Sequence, residues 1–278
     1  MNFQSCQYIR ELPNLSITTP NIKQLNLCQC INLAKVHDSV GCLDKLEILN
    51  LTGCIRLKIL PSCITMKSLK ILILHRCKRV KRFPDISQEM ENLKFLSLAC
   101  TAIRGLPSSF RNLSGLERLD IGSYSCTCHL PSSIYELPHL HKLFIYGSVQ
   151  FPKDVQIGIQ APCNSYSGFS KYDSSKLNFL KKLTSRFHLS EKWLLSRRKT
   201  SNLKGNIMRF NGLRYLLIED SKFLKEIPEL PESIRSVYAS NCISLNSQSI
   251  RNLFDQVPSS LQDIKNKKQF CLPFQILY

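Results

Sequence analysis

Cys6, Cys30, Cys54 and Cys77 fall 24, 24 and 23 residues apart, each after the same run of apolar residues. A period of that size marks an array built from one small unit. The unit reads Leu-x-x-Leu-x-Leu-x-x-Cys-x-x-Leu-x-x-Leu-Pro. Leu46, Leu49, Leu51, Cys54, Leu57, Leu60 and Pro61 give a nearly perfect copy, and Leu69, Leu72, Leu74, Cys77, Val80, Phe83 and Pro84 give the next. Units open at Ile22, Leu46, Leu69, Leu93, Leu116 and Leu140, and two more at Leu213 and Ile234. Met1, Phe3, Cys6, Ile9, Leu12 and Pro13 fit the frame only from mid-unit. The chain is therefore expected to begin inside a repeat, as a fragment or a truncated gene model would.

In Leu-x-Leu the two leucines share one face of a short strand and the residue between them faces the other way. A single unit cannot bury its leucines alone. Stacking units about 4.8 Å apart builds one parallel sheet over one apolar core. The expected fold class is α/β: a leucine-rich-repeat solenoid (a horseshoe), with a parallel concave sheet and short helices, 3₁₀ turns and loops on the convex side. Proline fixes φ and donates no ladder hydrogen bond, so the Leu-Pro step ends each strand-bearing half. Stretches such as Pro107-Ser108-Ser109-Phe110-Arg111-Asn112-Leu113 then read as helical or 3₁₀ turns.

With 43% hydrophobic and 21% charged residues, the 278-residue chain can bury a sizeable core. It has no apolar run near the roughly 18 residues that a membrane span needs. Of its 13 cysteines, Cys6, Cys30, Cys54, Cys77 and Cys242 share one repeat position. There a compact apolar side chain with a weak thiol donor is wanted, and these thiols are expected to stay reduced. Stacking would still bring neighbouring Cys Cα atoms within disulfide reach. Cys126 and Cys128 lack the second ligand pair of a zinc site and are expected on a loop after the strand at Leu119 and Ile121.

The net charge of +18 is uneven. Arg76, Lys78, Arg79, Lys81 and Arg82 form one cluster, and between Lys171 and Lys204 ten Lys or Arg face only Asp173 and Glu191. Such patches suit nucleic acid or anionic membrane. They also suit a solvated surface on repeat turns, which is the reading adopted here, and nucleic acid is not expected as a partner.

Leu140 to Leu213 spans 73 residues, about three periods. Only faint frame survives there, at Leu177, Leu180 and Leu183, after a loop-like stretch containing Pro162, Gly168 and several serines. Phe187, Leu189, Trp193, Leu194 and Leu195 could form a short amphipathic helix. The expected division is repeats over 1–152, an irregular basic insert with degenerate repeats over 153–206, and final repeats over 207–257. Residues 258–278 would be the start of a post-repeat domain or a disordered tail.

The sequence contains no phosphate-binding Gly-x-x-x-x-Gly-Lys-Ser/Thr. No Ser/His/Asp set, paired acids or histidine metal spacing stands out. No catalytic residue, cofactor or metal is expected, which leaves a protein-binding module. Its binding residues would be those alternating with the core leucines. The candidates are His75, Phe95, Arg118, Asp120, Phe144, Tyr146, Tyr215, Leu217, Glu219 and Tyr238. Phe95, Phe144, Tyr146, Tyr215 and Tyr238 would make a broken aromatic stripe. Aromatics favour interfaces, although they also simply favour strands.

The unit ending in Leu-Pro with Cys after the strand resembles plant intracellular immune receptors that carry nucleotide-binding and leucine-rich-repeat domains. Val36-His37-Asp38-Ser39-Val40-Gly41, Leu106-Pro107-Ser108-Ser109-Phe110 and Glu226-Ile227-Pro228-Glu229-Leu230-Pro231 sharpen the likeness. They are similar to the subclass with an N-terminal Toll/interleukin-1-receptor-like domain. The resemblance covers roughly residues 1–152 and 207–257. It implies a cytoplasmic, and also nuclear, non-enzymatic recognition module. Such a module would bind a pathogen effector or a guarded host protein and restrain the nucleotide-binding module of the parent receptor. NAD hydrolysis in that class belongs to a separate N-terminal domain that these residues do not include. Phe270-Cys271-Leu272-Pro273 resembles the opening of the β-rich domain that follows the repeats in the family. The competing readings are an extracellular repeat ectodomain, favoured by sequons at Asn14, Asn50 and Asn112, and a ubiquitin-ligase adaptor scaffold.

Overall fold

The computed structural model describes residues 1–152 and, between 207 and 248, all but 220, 222, 223, 228 and 241. All of these belong to one compact unit. The stretches expected to form a loop near 162–175, a helix over 187–195 and a tail from 258, and the second basic cluster, lie outside the described residues.

In chain order the strands are β1 (Gln24–Asn26), β2 (Ile48–Asn50), β3 (Cys63–Ile64), β4 (Ile71–Ile73), β5 (Asp85–Ile86) and β6 (Phe95–Ser97), followed by β7 (Arg118–Ile121), β8 (Cys128–His129), β9 (Lys142–Tyr146), β10 (Val149–Gln150), β11 (Tyr215–Glu219) and β12 (Ser236–Ser240). Each main strand begins two residues after a unit opening. Eight of them form one sheet in the order β1-β2-β4-β6-β7-β9-β11-β12. Every pairing in it is parallel, as stacked coils require.

The register puts Leu25, Leu49, Leu72, Leu96, Leu119, Leu143 and Leu216 in one row, with Val237 at its end. None of those leucines is more than 4% exposed. Leu27, Leu51, Leu74, Leu98, Ile121, Ile145 and Ile218 form a second buried row two residues on. Each such side chain contributes roughly 1.5–3 kcal/mol, so the solenoid rests on many equivalent terms rather than on one centre.

The repeat cysteines tie coil to coil. The Cys30 thiol donates to the carbonyl of Phe3 (3.0 Å), Cys54 to Leu27 (3.1 Å) and Cys77 to Leu51 (3.1 Å). Burial, the dominant effect, pushes the Cys54 thiol up to about 12 and Cys77 well above the ordinary thiol range. These groups therefore act as apolar filler with a donor, and not as thiolates.

Just before this position the chain turns left-handed: φ is +61° at Ser5, +62° at Gln29, +71° at Gly53, +62° at Arg76 and +59° at Cys100. The turn aims each amide at the next coil, as in Gln29 N–H to Thr52 O (2.7 Å) and Gly53 N–H to His75 O (2.8 Å). Glycine supplies this conformation without a Cβ penalty, yet four of the five positions are not glycine.

The convex side follows expectation in part. 3₁₀ turns occupy Asp38–Cys42, Ser108–Asn112 and Ser132–Glu136. After Pro61 and Pro84 the chain instead forms β3 and β5, which pair with each other. Both stretches carry a β-branched isoleucine in the strand, Ile64 and Ile86, and both are buried. Cys128, expected on a loop, lies in β8, which pairs with β10, and is buried.

β9 and β11 are direct neighbours, with Lys142 opposite Tyr215 and Tyr146 opposite Glu219. The main sheet is therefore continuous from β9 to β11, and the degenerate repeats expected over 153–206 lie outside the described residues. Ser221 Oγ donating to Gly147 O (2.7 Å) reinforces the junction.

Candidate protein-binding face

The sheet's second face carries the residues that alternate with the core rows. One row reads Gln24, Ile48, Ile71, Phe95, Arg118, Lys142 and Tyr215, and the next reads Asn26, Asn50, Ile73, Ser97, Asp120, Phe144, Leu217 and Tyr238. Every candidate binding residue named from the sequence lies on this face or, like His75, directly after a strand that forms it. Exposure along the face is uneven, however.

In the centre the face is closed. Phe95 is 4% exposed, Asp120 3%, Ser97 2% and Thr52 1%. Arg118 covers Phe95 and Asp120. Its guanidinium carbon lies 4.8 Å from the Phe95 ring centroid and 3.9 Å from that of Phe144, a cation between two π faces. The same guanidinium donates twice to the Asp120 carboxylate, from Nε at 2.7 Å and Nη2 at 2.9 Å. Burial raises the Asp120 carboxyl above its usual range and the Arg118 charge pulls it back only in part. Four residues that the sequence offers as separate contacts are thus one network, in which Phe95 and Asp120 are buried and Arg118 and Phe144 half-buried.

Further along the face opens. Phe144, Tyr146, Tyr215, Leu217 and Tyr238 are all half-buried. Lys142, not among the candidates from the sequence, sits here with its ammonium 5.7 Å from the Tyr215 ring. Burial lowers its pKa, and Arg118 adds to that effect. Its place two residues after Leu140 matches that of Arg118 after Leu116, a correspondence readable from the repeat frame. The His75 and Tyr146 rings meet edge-on at 6.3 Å, although two strands lie between their own. The backbone of Glu219 completes β11 beside Tyr146. Among the described residues no group of three His, Cys, Asp or Glu could hold a metal ion, and no helix is long and apolar enough to cross a membrane.

Residues 65–169 match the family model described as disease resistance protein RPS4B-like, leucine-rich repeats. Over those residues, less than half of the chain, the sequence is similar to leucine-rich repeats of plant disease-resistance proteins. TMV resistance protein N of Nicotiana glutinosa is 36% identical over 129 residues, covering 46% of this chain and 11% of that protein. Disease resistance protein RPP2A of Arabidopsis thaliana is 36% identical over 130 residues, covering 46% of this chain and 10% of its own length. Disease resistance protein RPS6 of the same plant is 29% identical over 168 residues, covering 60% of this chain and 15% of its own. The matches thus span 10–15% of the length of these relatives. A solved leucine-rich-repeat protein of Leptospira interrogans aligns with 89% of this chain and 98% of its own, at 14% identity and a TM-score of 0.18, too low to bear on the argument.

Proposed function

We propose that these repeats are the non-enzymatic recognition module of a plant resistance receptor. The module binds a pathogen effector or a guarded host protein in the cytoplasm, through the open C-terminal part of the second sheet face. The observation that carries this reading is the contrast in exposure along one face. Tyr146, Tyr215, Leu217 and Tyr238 remain partly accessible, while Phe95 and Asp120 are buried and engaged by Arg118. Large, stiff side chains with a polar tip make favourable anchors at small entropic cost. In a full receptor the same solenoid would also restrain the nucleotide-binding module.

Two of the three sequons, Asn50 and Asn112, count against an extracellular ectodomain. Asn50 is 5% exposed, and its Oδ1 accepts from the Thr52 N–H and hydroxyl. Asn112 spends its amide nitrogen on the Ile86 carbonyl (2.7 Å), whereas Asn14 caps the turn at Leu15–Thr18 through its oxygen alone. A glycan on Asn112 would need the nitrogen that bonds Ile86, and one on Asn50 would have to grow from a side chain that is buried.

The test is the triple variant Tyr146→Ala/Tyr215→Ala/Tyr238→Ala, used beside the parent chain as bait in extracts of challenged and unchallenged plants. The reading expects a protein retained by the parent chain and lost by the variant, with unaltered thermal unfolding of both. Equal retention by the two would overturn it.

A further inference from the structure

The flank on which the chain leaves the main strands is basic and unpaired. Across segments 4–12, 28–36, 52–60, 75–83 and 99–106, ten Lys or Arg face one acid, Glu11. Lys78, Arg79, Lys81 and Arg82 are all exposed, while the intervening Val80 is fully buried. One coil earlier Arg56 and Lys58 are exposed beside Ile55 (42%) and Ile59 (51%), and Tyr8 lies on the same flank at 95%. Backbone pairing keeps the coils in register: Lys58 N–H donates to Ala34 O, Ala34 N–H to Arg10 O, and Ala102 N–H to Val80 O. None of these cations enters an ion pair among the described residues.

The flank before the strands differs. Lys70 pairs with Glu47 at 2.7 Å and Lys94 with Glu117 at 3.6 Å. The solenoid therefore neutralises its charges on one flank and concentrates cations on the other, where self-repulsion opposes folding.

We propose that the basic flank docks on an anionic phospholipid surface. Cations alone would suit any polyanion. Exposed isoleucines and a tyrosine set among them have no task against a phosphate chain, whereas an anionic bilayer face rewards both kinds of side chain. The patch also extends over several positions within each coil as well as over successive coils, an area rather than a line. This docking would lie flat on a bilayer and is independent of the protein-binding face.

The experiment is co-sedimentation of the full chain with phosphatidylserine-containing vesicles, against vesicles of phosphatidylcholine alone. Sedimentation is expected only with phosphatidylserine, and it should fall as salt rises from about 0.05 to 0.5 M. Lys78→Gln/Arg79→Gln/Lys81→Gln/Arg82→Gln should weaken partition roughly a hundredfold or more. Ile55→Ser/Ile59→Ser should weaken it about tenfold without changing the salt slope. Lys70→Gln/Lys94→Gln, on the paired flank, should change it less than about threefold. Because residues 171–204 are also basic, the site is read separately, by protection of Lys78 and Lys81 from acetylation in the parent chain, a readout that needs no variant to fold. Sedimentation with both lysines unprotected would overturn the proposal, as would equal binding to neutral vesicles. So would a single-stranded oligonucleotide protecting the same lysines more strongly than the vesicles, with the isoleucine variant unaffected.

Discussion

The centre of the second sheet face and its C-terminal end are built on the same strands in the same register, yet they are chemically opposite. At β6 and β7 the side chains satisfy one another: Arg118 is held between Phe95 and Phe144 and bonded twice to Asp120. At β9, β11 and β12, Tyr146, Tyr215, Leu217 and Tyr238 keep part of their surface in water. Facing away from the core therefore does not make a residue available to a partner. Availability depends on whether the residue one period away has already covered it.

The largest expected effect breaks the closed centre. Arg118→Ala leaves the Asp120 carboxylate buried without its cation, which should cost about 3–5 kcal/mol near neutral pH, read by urea unfolding. Arg118→Met/Asp120→Leu, which removes both charges, should recover most of that loss. A double variant as unstable as the single one would mean the network is not the unit described.

A smaller effect is pH-dependent. Asp120 has its folded pKa raised by burial. Between the ordinary carboxylate value and that raised value, the folded chain holds a proton that the unfolded chain has released. The stability due to Asp120 is thus full below the ordinary value and is lost as pH rises through the folded one. Relative to Asp120→Asn, the parent chain should lose stability over that rise and run parallel above it. A gap that widens in the opposite direction would reverse the assignment.

At the open end, the three tyrosine substitutions should each shift stability by less than about 1 kcal/mol, since partly exposed side chains lose little on truncation. The smallest effect lies in the turns. Cys100→Gly removes the penalty of φ +59° at a non-glycine residue and should stabilise by up to about 1 kcal/mol in the same urea assay.

The period of 23–24 residues made the core legible before any coordinates, because a repeat fixes which residues share a row. It placed Leu49, Leu72 and Leu96 side by side and buried, and it put the candidate binding residues on the opposite face. It could not show that Phe95 and Asp120 are covered, because covering depends on side chains a period away and on how Arg118 folds over them. Nor could it show the pairing of β9 with β11, because that contact joins residues 73 positions apart across a stretch where the repeat frame is faint. The left-handed turns were signalled only by Gly53, since Ser5, Gln29, Arg76 and Cys100 give no local hint of positive φ.

The claim that recognition belongs to the open end and not to the closed centre is tested most directly with a photoreactive phenylalanine analogue. It is placed at Tyr215 in one copy of the chain and at Phe95 in another, and both are irradiated in the same plant extract. The account predicts a protein crosslinked at position 215 and none at position 95. Capture at position 95 with none at 215 would contradict it.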